Sequence, residues 1–392
     1  MRVYYRLTLI KRYESACVDI VIPFGERAAP FDLEPAERRT GVLMAFAALL
    51  NHFLFACALA VLAAIATYVM RRVSILDIPN HRSSHEQPVP NGGGVAIVLT
   101  VLVGFLAVYL AGDLVPIAES HMLGLGVASV AIVFVGLLDD LKKLQSFRIK
   151  LVTQIFAAGV LVGFDIVIRD VTLPFAGNIA LGWWAYPVTL IWVIGLTNAF
   201  NFMDGLNGLA AGTAVICSAF FGLISFFEGS LFIYMLCYVM AAASLGFLPF
   251  NFPRARIFMG DVGSQFLGFM FAALAVIAAE NDVSRTSMIV MPLLFFHFIF
   301  DTVFTLFRRL WAGEEVTQAH RSHLYQLLNR IGWSHVRVSA LQYGFAVLQG
   351  LGVLAILLDK SVEPSLIIVP FLAVQLLYMV IVMRAARRCG LV

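Results

Sequence analysis

Residues 44–70 read MAFAALLNHFLFACALAVLAAIATYVM, a run without any Asp, Glu, Lys or Arg. A helix that crosses the hydrocarbon core of a bilayer needs about 20 mostly apolar residues. This run is long enough to do so, and similar runs follow along the chain. Of the 392 residues, 61% are hydrophobic and 13% are charged, and the mean hydropathy is +0.90. This composition excludes an ordinary soluble domain and predicts an integral membrane protein.

The apolar runs predict an all-α, polytopic transmembrane bundle of about eleven spans that occupies residues 44–392 as one domain. Residues 1–43 are polar and mixed in charge, and they lack a cleavable signal pattern. They form either a weakly ordered tail or a segment that is not translated, with Met44 as the true start, and the residues leave both alternatives open. The predicted spans lie near 44–70, 93–112, 121–138, 150–168, 181–198, 208–227, 231–248, 263–280, 287–307, 338–358 and 364–383.

The basic residues indicate which loops face the cytoplasm. One set of alternate loops carries seventeen Lys and Arg residues, whereas the opposite loops hold Arg169, Arg285 and Lys360. By the positive-inside rule the richer loops are cytoplasmic, which predicts an outside N-terminus and a cytoplasmic C-terminus. Residues 1–43 fit this scheme poorly because they add seven further basic residues to the outer side.

The motif-like segments all fall on the predicted cytoplasmic side, and the outer loops hold nothing comparable. This asymmetry predicts a site that is reached from the cytoplasm. A transporter or flippase, the rival class, would be expected to carry charged residues along a path through the bilayer. The segments are DIPNHRSSHEQPVPNGGG (77–94), DDLKKLQSFRIK (139–150), NAFNFMDGLNG (198–208), FNFPRARIFMGDVGS (250–264) and AHRSHLYQ (319–326).

Four carboxylates occupy inner ends of the predicted spans. Asp139 and Asp140 end the third span. Asp204 and Asp261 lie at equivalent positions beside other spans. Each of them alone is typical of a helix cap or a solvated helix end. Together they repel one another unless a cation joins them, and hard oxygen ligands of this kind suit Mg²⁺, with Mn²⁺ as the alternative. A protein that only binds a ligand would not need four such acids.

Basic side chains accompany the acids. Lys143 and Lys150 follow the Asp pair and offer charge suited to phosphates. In the longest inner loop, His320, Arg321 and His323 can bind a pyrophosphate as cationic donors, and a solvated basic loop is the alternative. A zinc site would need further Cys or His ligands, and none is near in sequence.

Amide side chains recur near the same acids. Asn201, Asp204 and Asn207 are spaced by three, which places them on one face of a helix, although a polar turn is the alternative. Asn251 lies ten residues before Asp261, across a basic stretch.

Two other features have adequate structural explanations. His297 and Asp301 share a helical face inside a span, and we expect a buried His–Asp hydrogen bond that fixes helix packing. The Gly92–Gly94 run permits close approach of a ligand or a neighbouring helix.

The ordered set of motifs resembles that of the polyprenyl-phosphate N-acetylhexosamine-1-phosphate transferases, which include the WecA-, MraY- and TagO-type enzymes. The resemblance covers roughly residues 44–384. It comprises DxPNxRSSH with PxxGGG, then DDLKK, NAFNFMDG, an FN ten residues before the Asp of GDVGS, and a His-containing last loop. Any one of these motifs could occur by chance, but all five in the same order hardly could.

The resemblance implies roles for residues at the matching positions. Asp261 would be the principal Mg²⁺ ligand, with Asp204 as a metal-proximal or catalytic acid. Asp139 and Asp140 match the catalytic pair. The remaining matches are Lys143 and Lys150 as phosphate-site lysines, Asn201 and Asn251 as nucleotide-site asparagines, and His320 and His323 as the first and last histidines of the loop.

Two departures from the family pattern bear on the substrate. Ser322 replaces a histidine, and Asn207 stands where an Asp is typical. They disfavour a peptidoglycan-precursor enzyme and favour the subgroup that starts O-antigen or other surface polysaccharides. There the donor would be UDP-GlcNAc or a 6-deoxy sugar such as UDP-FucNAc or UDP-QuiNAc.

The implied reaction transfers a sugar phosphate from a UDP-sugar to undecaprenyl phosphate and releases UMP at the bacterial inner membrane. The partners would be these two substrates and the membrane, with no nucleic acid. A homodimer is left open, because the residues do not reveal the oligomeric state.

Overall fold

A computed structural model of the protein describes residues 5–11, 14–20, 35–73, 76–78, 87–110, 117–141, 146–173, 177–315, 317–318, 320–358 and 365–392. The chain divides into two compact units, Met1–Ala58 and Leu59–Val392. In the first unit, strand β1 (Tyr5–Lys11) pairs antiparallel with β2 (Glu14–Ile20), and helix α1 (Pro35–Val73) begins there. The predicted boundary at residue 43 therefore falls inside a helix.

The second unit is built almost entirely of helices, which confirms the predicted fold class. Short antiparallel pairs join β3 to β4 and β5 to β6. The helices are α2 (Gly94–Leu110), α3 (Glu119–Asp140), α4 (Phe147–Gly163), α5 (Ala185–Phe202), α6 (Leu209–Phe227), α7 (Leu231–Asn251), α8 (Gly260–Val276), α9 (Val290–Leu294), α10 (Phe296–Trp311), α11 (Leu324–Arg330), α12 (His335–Leu358) and α13 (Ser365–Arg388). The strands are β3 (Leu76–Asp77), β4 (Val89–Pro90), β5 (Asp170–Leu173) and β6 (Gly177–Ala180).

Eight helices in the described part of the chain are long and apolar enough to cross a membrane, and α2 is a shorter apolar helix. The protein is therefore a multi-pass membrane protein. The predicted ninth span, 287–307, is not one helix. It is divided into α9 and α10 at Phe295, whose backbone leaves the helical region at φ −103° and ψ 20°. The count of eleven spans stays a prediction.

Helix α8 is the centre of the second unit. Within its span, 94% of the most apolar window is buried, and the helix packs against α2, α3 and α5. Gly94 of α2 lies against the backbone of Gly263, and its N–H donates to the carbonyl of Met259 at 2.7 Å. A side chain at Gly94 would overlap that backbone. The glycine run therefore serves contact between neighbouring helices, one of its two predicted uses.

Candidate active site

Three carboxylates meet where α3 ends and α8 begins. Asp139, Asp140 and Asp261 each present an oxygen, and these oxygens lie within 4.8 Å of one another. The chain brings them together because α3 and α8 pack side by side, with the C-terminus of one beside the N-terminus of the other. The sequence predicted this convergence on one face. The predicted metal ligands were Asp261 and Asp204. In the structure, the residues whose oxygens cluster with Asp261 are Asp139 and Asp140.

Asp140 caps the first turn of α8. Its Oδ1 accepts a hydrogen bond from the N–H of Asp261 at 2.9 Å, and its Oδ2 accepts one from Val262 at 3.2 Å. The Nδ2 of Asn91 also donates to Oδ1, at 3.2 Å. Gly260 has φ +76°, and a side chain there would strike Oδ2 of Asp140. A buried helix start needs such acceptors, so Asp140 holds Asp261 in place, and both of its oxygens are engaged.

Lys150, in the first turn of α4, bridges the other two acids. Its Nζ lies 2.8 Å from Oδ2 of Asp139 and 2.5 Å from Oδ2 of Asp261. The second oxygen of Asp139, Oδ1, is buried and accepts no hydrogen bond from the described residues. Asp139 therefore has an oxygen that accepts no hydrogen bond from the described residues, whereas each oxygen of Asp140 accepts at least one.

Amide groups fix the orientation of the Asp261 carboxylate. The Nδ2 of Asn201 donates to its Oδ1 at 3.1 Å and to Oγ of Ser264 at 2.8 Å. The Nε2 of Gln265 donates to its Oδ2 at 3.0 Å. The predicted site included Asn201 but missed Gln265, although Gln265 lies four residues after Asp261 and therefore on the same helical face.

A ladder of amides continues from this carboxylate between α4 and α5. Gln154 donates through Nε2 to Oε1 of Gln265 at 3.1 Å, and its Oε1 accepts from Nδ2 of Asn198 at 2.7 Å. Gln154 is nearly buried, and a buried amide is costly unless it is paired. The one feature of the sequence that could have identified Gln154 is its spacing of four residues from Lys150.

Asp204 lies in the turn between α5 and α6, beside the cluster. Its carboxyl accepts no hydrogen bond from the described residues. Burial, followed by the negative charges of Asp261 and Asp140, raises its pKa well above the usual range. The arrangement thus places a fourth acid where negative charge is already in excess, and a cation would relieve that excess.

A cavity of about 390 Å³ adjoins the cluster. Lys150, Asn201 and Gln265 line one side. Arg309, His320 and His323 line another, so the predicted basic loop does face the acidic end of the bundle. Arg321 is not among the lining residues. Lys143 lies outside the described residues.

His320 is held as a neutral imidazole. Burial, followed by the positive charges of His323, Arg309 and Arg308, lowers its pKa to about 4. Its Nδ1 accepts from the N–H of Ser322 at 3.3 Å and lies 2.9 Å from the Ser322 hydroxyl. The serine that departs from the family pattern therefore orients the first histidine. The role of His320 as a cationic donor to phosphate stays a prediction.

The expected His297–Asp301 hydrogen bond is wrong. Nδ1 of His297 contacts Gln349 of α12 at 2.7 Å. Asp301 instead contacts Nδ1 of His323 at 3.1 Å and accepts from the N–H of Leu324 at 2.9 Å. Helical spacing identified the face of α10 correctly, but it could not anticipate that a loop 22 residues further on would approach it.

Asn251 lies away from the cavity and has backbone partners. Its Oδ1 accepts from the N–H of Gly208 at 2.6 Å, and its Nδ2 donates to the carbonyl of Ile257 at 2.9 Å. Asn207 donates to the carbonyl of Pro253 at 3.2 Å. These amides join the α5–α6 turn to the α7–α8 loop, so the geometry gives Asn251 a structural role, and its nucleotide contact stays a prediction.

Comparison with known proteins agrees with this geometry. The model of glycosyl transferase family 4 matches residues 122–279, which contain the acidic cluster. A Bacillus subtilis protein, the "Probable undecaprenyl-phosphate N-acetylglucosaminyl 1-phosphate transferase", is 34% identical over 284 residues, 71% of this chain and 76% of its own. This chain belongs to the polyprenyl-phosphate N-acetylhexosamine-1-phosphate transferase family. As a member of that family it is a phosphoglycosyltransferase.

Two more distant members extend the comparison. The "Decaprenyl-phosphate N-acetylglucosaminephosphotransferase" of Mycobacterium leprae is 33% identical over 72% of this chain and 78% of its own. The "Undecaprenyl-phosphate alpha-N-acetylglucosaminyl 1-phosphate transferase" of Salmonella typhi is 29% identical over 80% of this chain and 84% of its own. Thus members of the family that act on two different prenyl carriers resemble this chain over most of its length.

Proposed function

We propose that this enzyme transfers N-acetylglucosamine 1-phosphate from UDP-GlcNAc to undecaprenyl phosphate and releases UMP. The acidic cluster beside a basic cavity carries the proposal, because the reaction joins two anions and its barrier is chiefly electrostatic. The names of the relatives support the sugar and the carrier. The product would begin a surface polysaccharide at the bacterial inner membrane. The loops that carry the site also carry most of the Lys and Arg residues, which supports a cytoplasmic site.

The described residues fit a divalent cation such as Mg²⁺ or Mn²⁺. Three carboxylates cluster and Asp204 lies near them, whereas the ammonium of Lys150 pairs with two of them, Asp139 and Asp261. Oδ1 of Asp139 is buried and has no hydrogen-bond partner among the described residues. Asp139 and Asp261 would hold the ion, with Asp204 close by. When bound, the ion would neutralise the donor pyrophosphate and favour departure of UMP.

The side chains of the chain itself would position the two anions. An oxygen of the prenyl phosphate forms a bond to the β-phosphorus, and the bond from that phosphorus to the bridging oxygen breaks. The electron pair leaves with UMP. Lys150, Arg309 and His323 line the cavity and would bind phosphate oxygens. Asp139 would be the proton acceptor of the pair, because its Oδ1 accepts no hydrogen bond from the described residues, whereas both oxygens of Asp140 accept backbone N–H groups.

The test is UMP release by purified protein in detergent with undecaprenyl phosphate and Mg²⁺. We expect UDP-GlcNAc to be used. UDP-FucNAc and UDP-QuiNAc are assayed in parallel, because the departures at Asn207 and Ser322 leave a 6-deoxy donor as the second candidate. UMP from a 6-deoxy donor alone would revise the sugar. No UMP from any donor would overturn the proposed function.

A further inference from the structure

We propose that Asp301 is a positioning residue that fixes the imidazole of His323 toward the cavity. The proposal rests on the proposed function, since it concerns a side chain that would bind the substrate phosphates. Asp301 does not line the cavity itself. It would act only through His323, which does line it.

The carboxylate of Asp301 caps the first turn of α11. It is 2% exposed and lies in the middle of α10. Its Oδ1 accepts from the N–H of Leu324 at 2.9 Å and from the Thr305 hydroxyl at 3.1 Å. Its Oδ2 accepts from the N–H of Tyr325 at 3.1 Å. Three donors from two elements therefore hold the carboxylate in one orientation before His323 is considered.

The fourth contact selects the state of the imidazole. Nδ1 of His323 lies 3.1 Å from Oδ1 of Asp301. An ionised carboxylate can only accept, so Nδ1 carries the hydrogen. In the neutral ring, Nε2 then has the free lone pair, and in the charged ring it is a second donor. Either way the partner on Nδ1 sets what Nε2 offers, as in other carboxylate–histidine pairs.

Neighbouring rings restrict the imidazole further. His320 stacks on His323 with centroids 5.0 Å apart and an interplanar angle of 27°. Phe202 lies 6.0 Å from the same ring. His323 is only 4% exposed, and it lines the cavity. A nearly buried ring that is held at Nδ1 and reaches a cavity fits a group prepared for a ligand.

The alternative is that Asp301 has only a structural role, because it also caps the backbone of α11. The two roles predict different results once His323 has been removed: loss of Asp301 then lowers activity further only if its role is structural. A double-mutant cycle measures this coupling. The variants are Asp301→Asn, His323→Ala and the double variant, assayed by UMP release from UDP-GlcNAc. The matched control is His297→Leu, which alters a buried polar residue one turn earlier on α10 that contacts Gln349 instead.

We expect Asp301→Asn and His323→Ala each to lower kcat/KM by about 10- to 100-fold, the usual effect of removing an orienting partner. The double variant should be no worse than His323→Ala alone, and His297→Leu should stay within about threefold of wild type. If Asp301→Asn does not give a monodisperse protein, Asp301→Glu replaces it in the same cycle, because it keeps the charge but displaces the oxygens.

Two losses that multiply in the double variant would overturn the proposal in favour of a structural cap, as would wild-type activity in both Asp301 variants. Failure of the proposed function looks different. In that case the wild-type protein itself releases no UMP from any donor.

Discussion

The two ends of the helical bundle both carry acidic side chains, but they use them differently. At the end opposite the cavity, Asp165 pairs with Arg169 at 2.5 Å. Oε1 of Glu280 accepts the N–H groups of Arg169 and Asp170 at 2.8 and 3.2 Å. At the cavity end, three carboxylates crowd within 4.8 Å, and two of them, Asp139 and Asp261, share the ammonium of Lys150.

The difference shows which acids are informative. An Asp or Glu at a helix end is ordinarily a cap, and the opposite end consists of such local arrangements. Crowded carboxylates that exceed their donors destabilise the fold unless something else binds them. The divalent cation proposed above would offset this excess and bring substrate phosphates to the cluster.

The largest effect is expected from Asp261→Asn. The change removes a charge on which Lys150, Asn201 and Gln265 converge, and UMP release should fall by about 10³-fold. Glu280→Gln, at the opposite end, is the matched control and should change the rate less than threefold. Equal effects of the two substitutions would mean that the ends do not differ in function.

Lys150→Met comes next. It removes the ammonium shared by Asp139 and Asp261, and we expect UMP release to fall by about 10²-fold, because the variant loses a partly buried charge that would bind phosphate oxygens. Arg169→Gln removes the exposed pair at the opposite end and should cost little. A Lys150→Met variant with wild-type kcat and KM would show that the ammonium only balances charge within the fold.

Asn251→Ala tests whether Asn251 binds the nucleotide, as predicted, or serves only to join two loops. The change leaves the buried N–H of Gly208 without its acceptor, which costs about 1–3 kcal/mol of unfolding free energy. We expect a lower melting temperature in detergent and a KM for the donor close to wild type. A raised KM with unchanged melting temperature would instead support the nucleotide contact that the family motif implies.

Asp204→Asn should give the smallest change in stability. It should raise the melting temperature, whereas Asn251→Ala lowers it. Folding raises the pKa of this carboxyl, so its protonated form favours the folded state. That contribution is complete below the pKa of the unfolded chain and is lost as the pH rises through the pKa of the folded protein. The amide mimics the neutral acid. In EDTA at pH 8 the variant should therefore melt about 2–4 °C above wild type, with the gain vanishing toward pH 4. The same melting difference at both pH values would contradict the raised pKa.

Much of this picture follows from local sequence. Apolar runs predicted the helices, and the recurrence of acids at their ends predicted the convergence of Asp139, Asp140 and Asp261. The division of the ninth span at Phe295 was not predicted, because hydropathy does not report a backbone break. The partners of Asp301 and Asn251 were not predicted either. They come from loops distant in sequence, and spacing rules describe only contacts within one helix.

The amide ladder was missed for another reason. Gln154 and Gln265 sit within apolar helices, where a lone amide is typical of a packing contact as much as of a site. Their significance depends on the Asp261 carboxylate that they reach, and only the packing of α4 against α5 and α8 brings these groups together.

The most direct test of the central claim is a titration of UMP release with Mg²⁺, starting from protein stripped with EDTA. We predict no release in EDTA, saturable recovery of wild-type activity as Mg²⁺ is added, and no recovery in Asp261→Asn at any concentration. Full activity of the wild-type protein in EDTA, or equal recovery in the variant, would contradict a cation site in this carboxylate cluster.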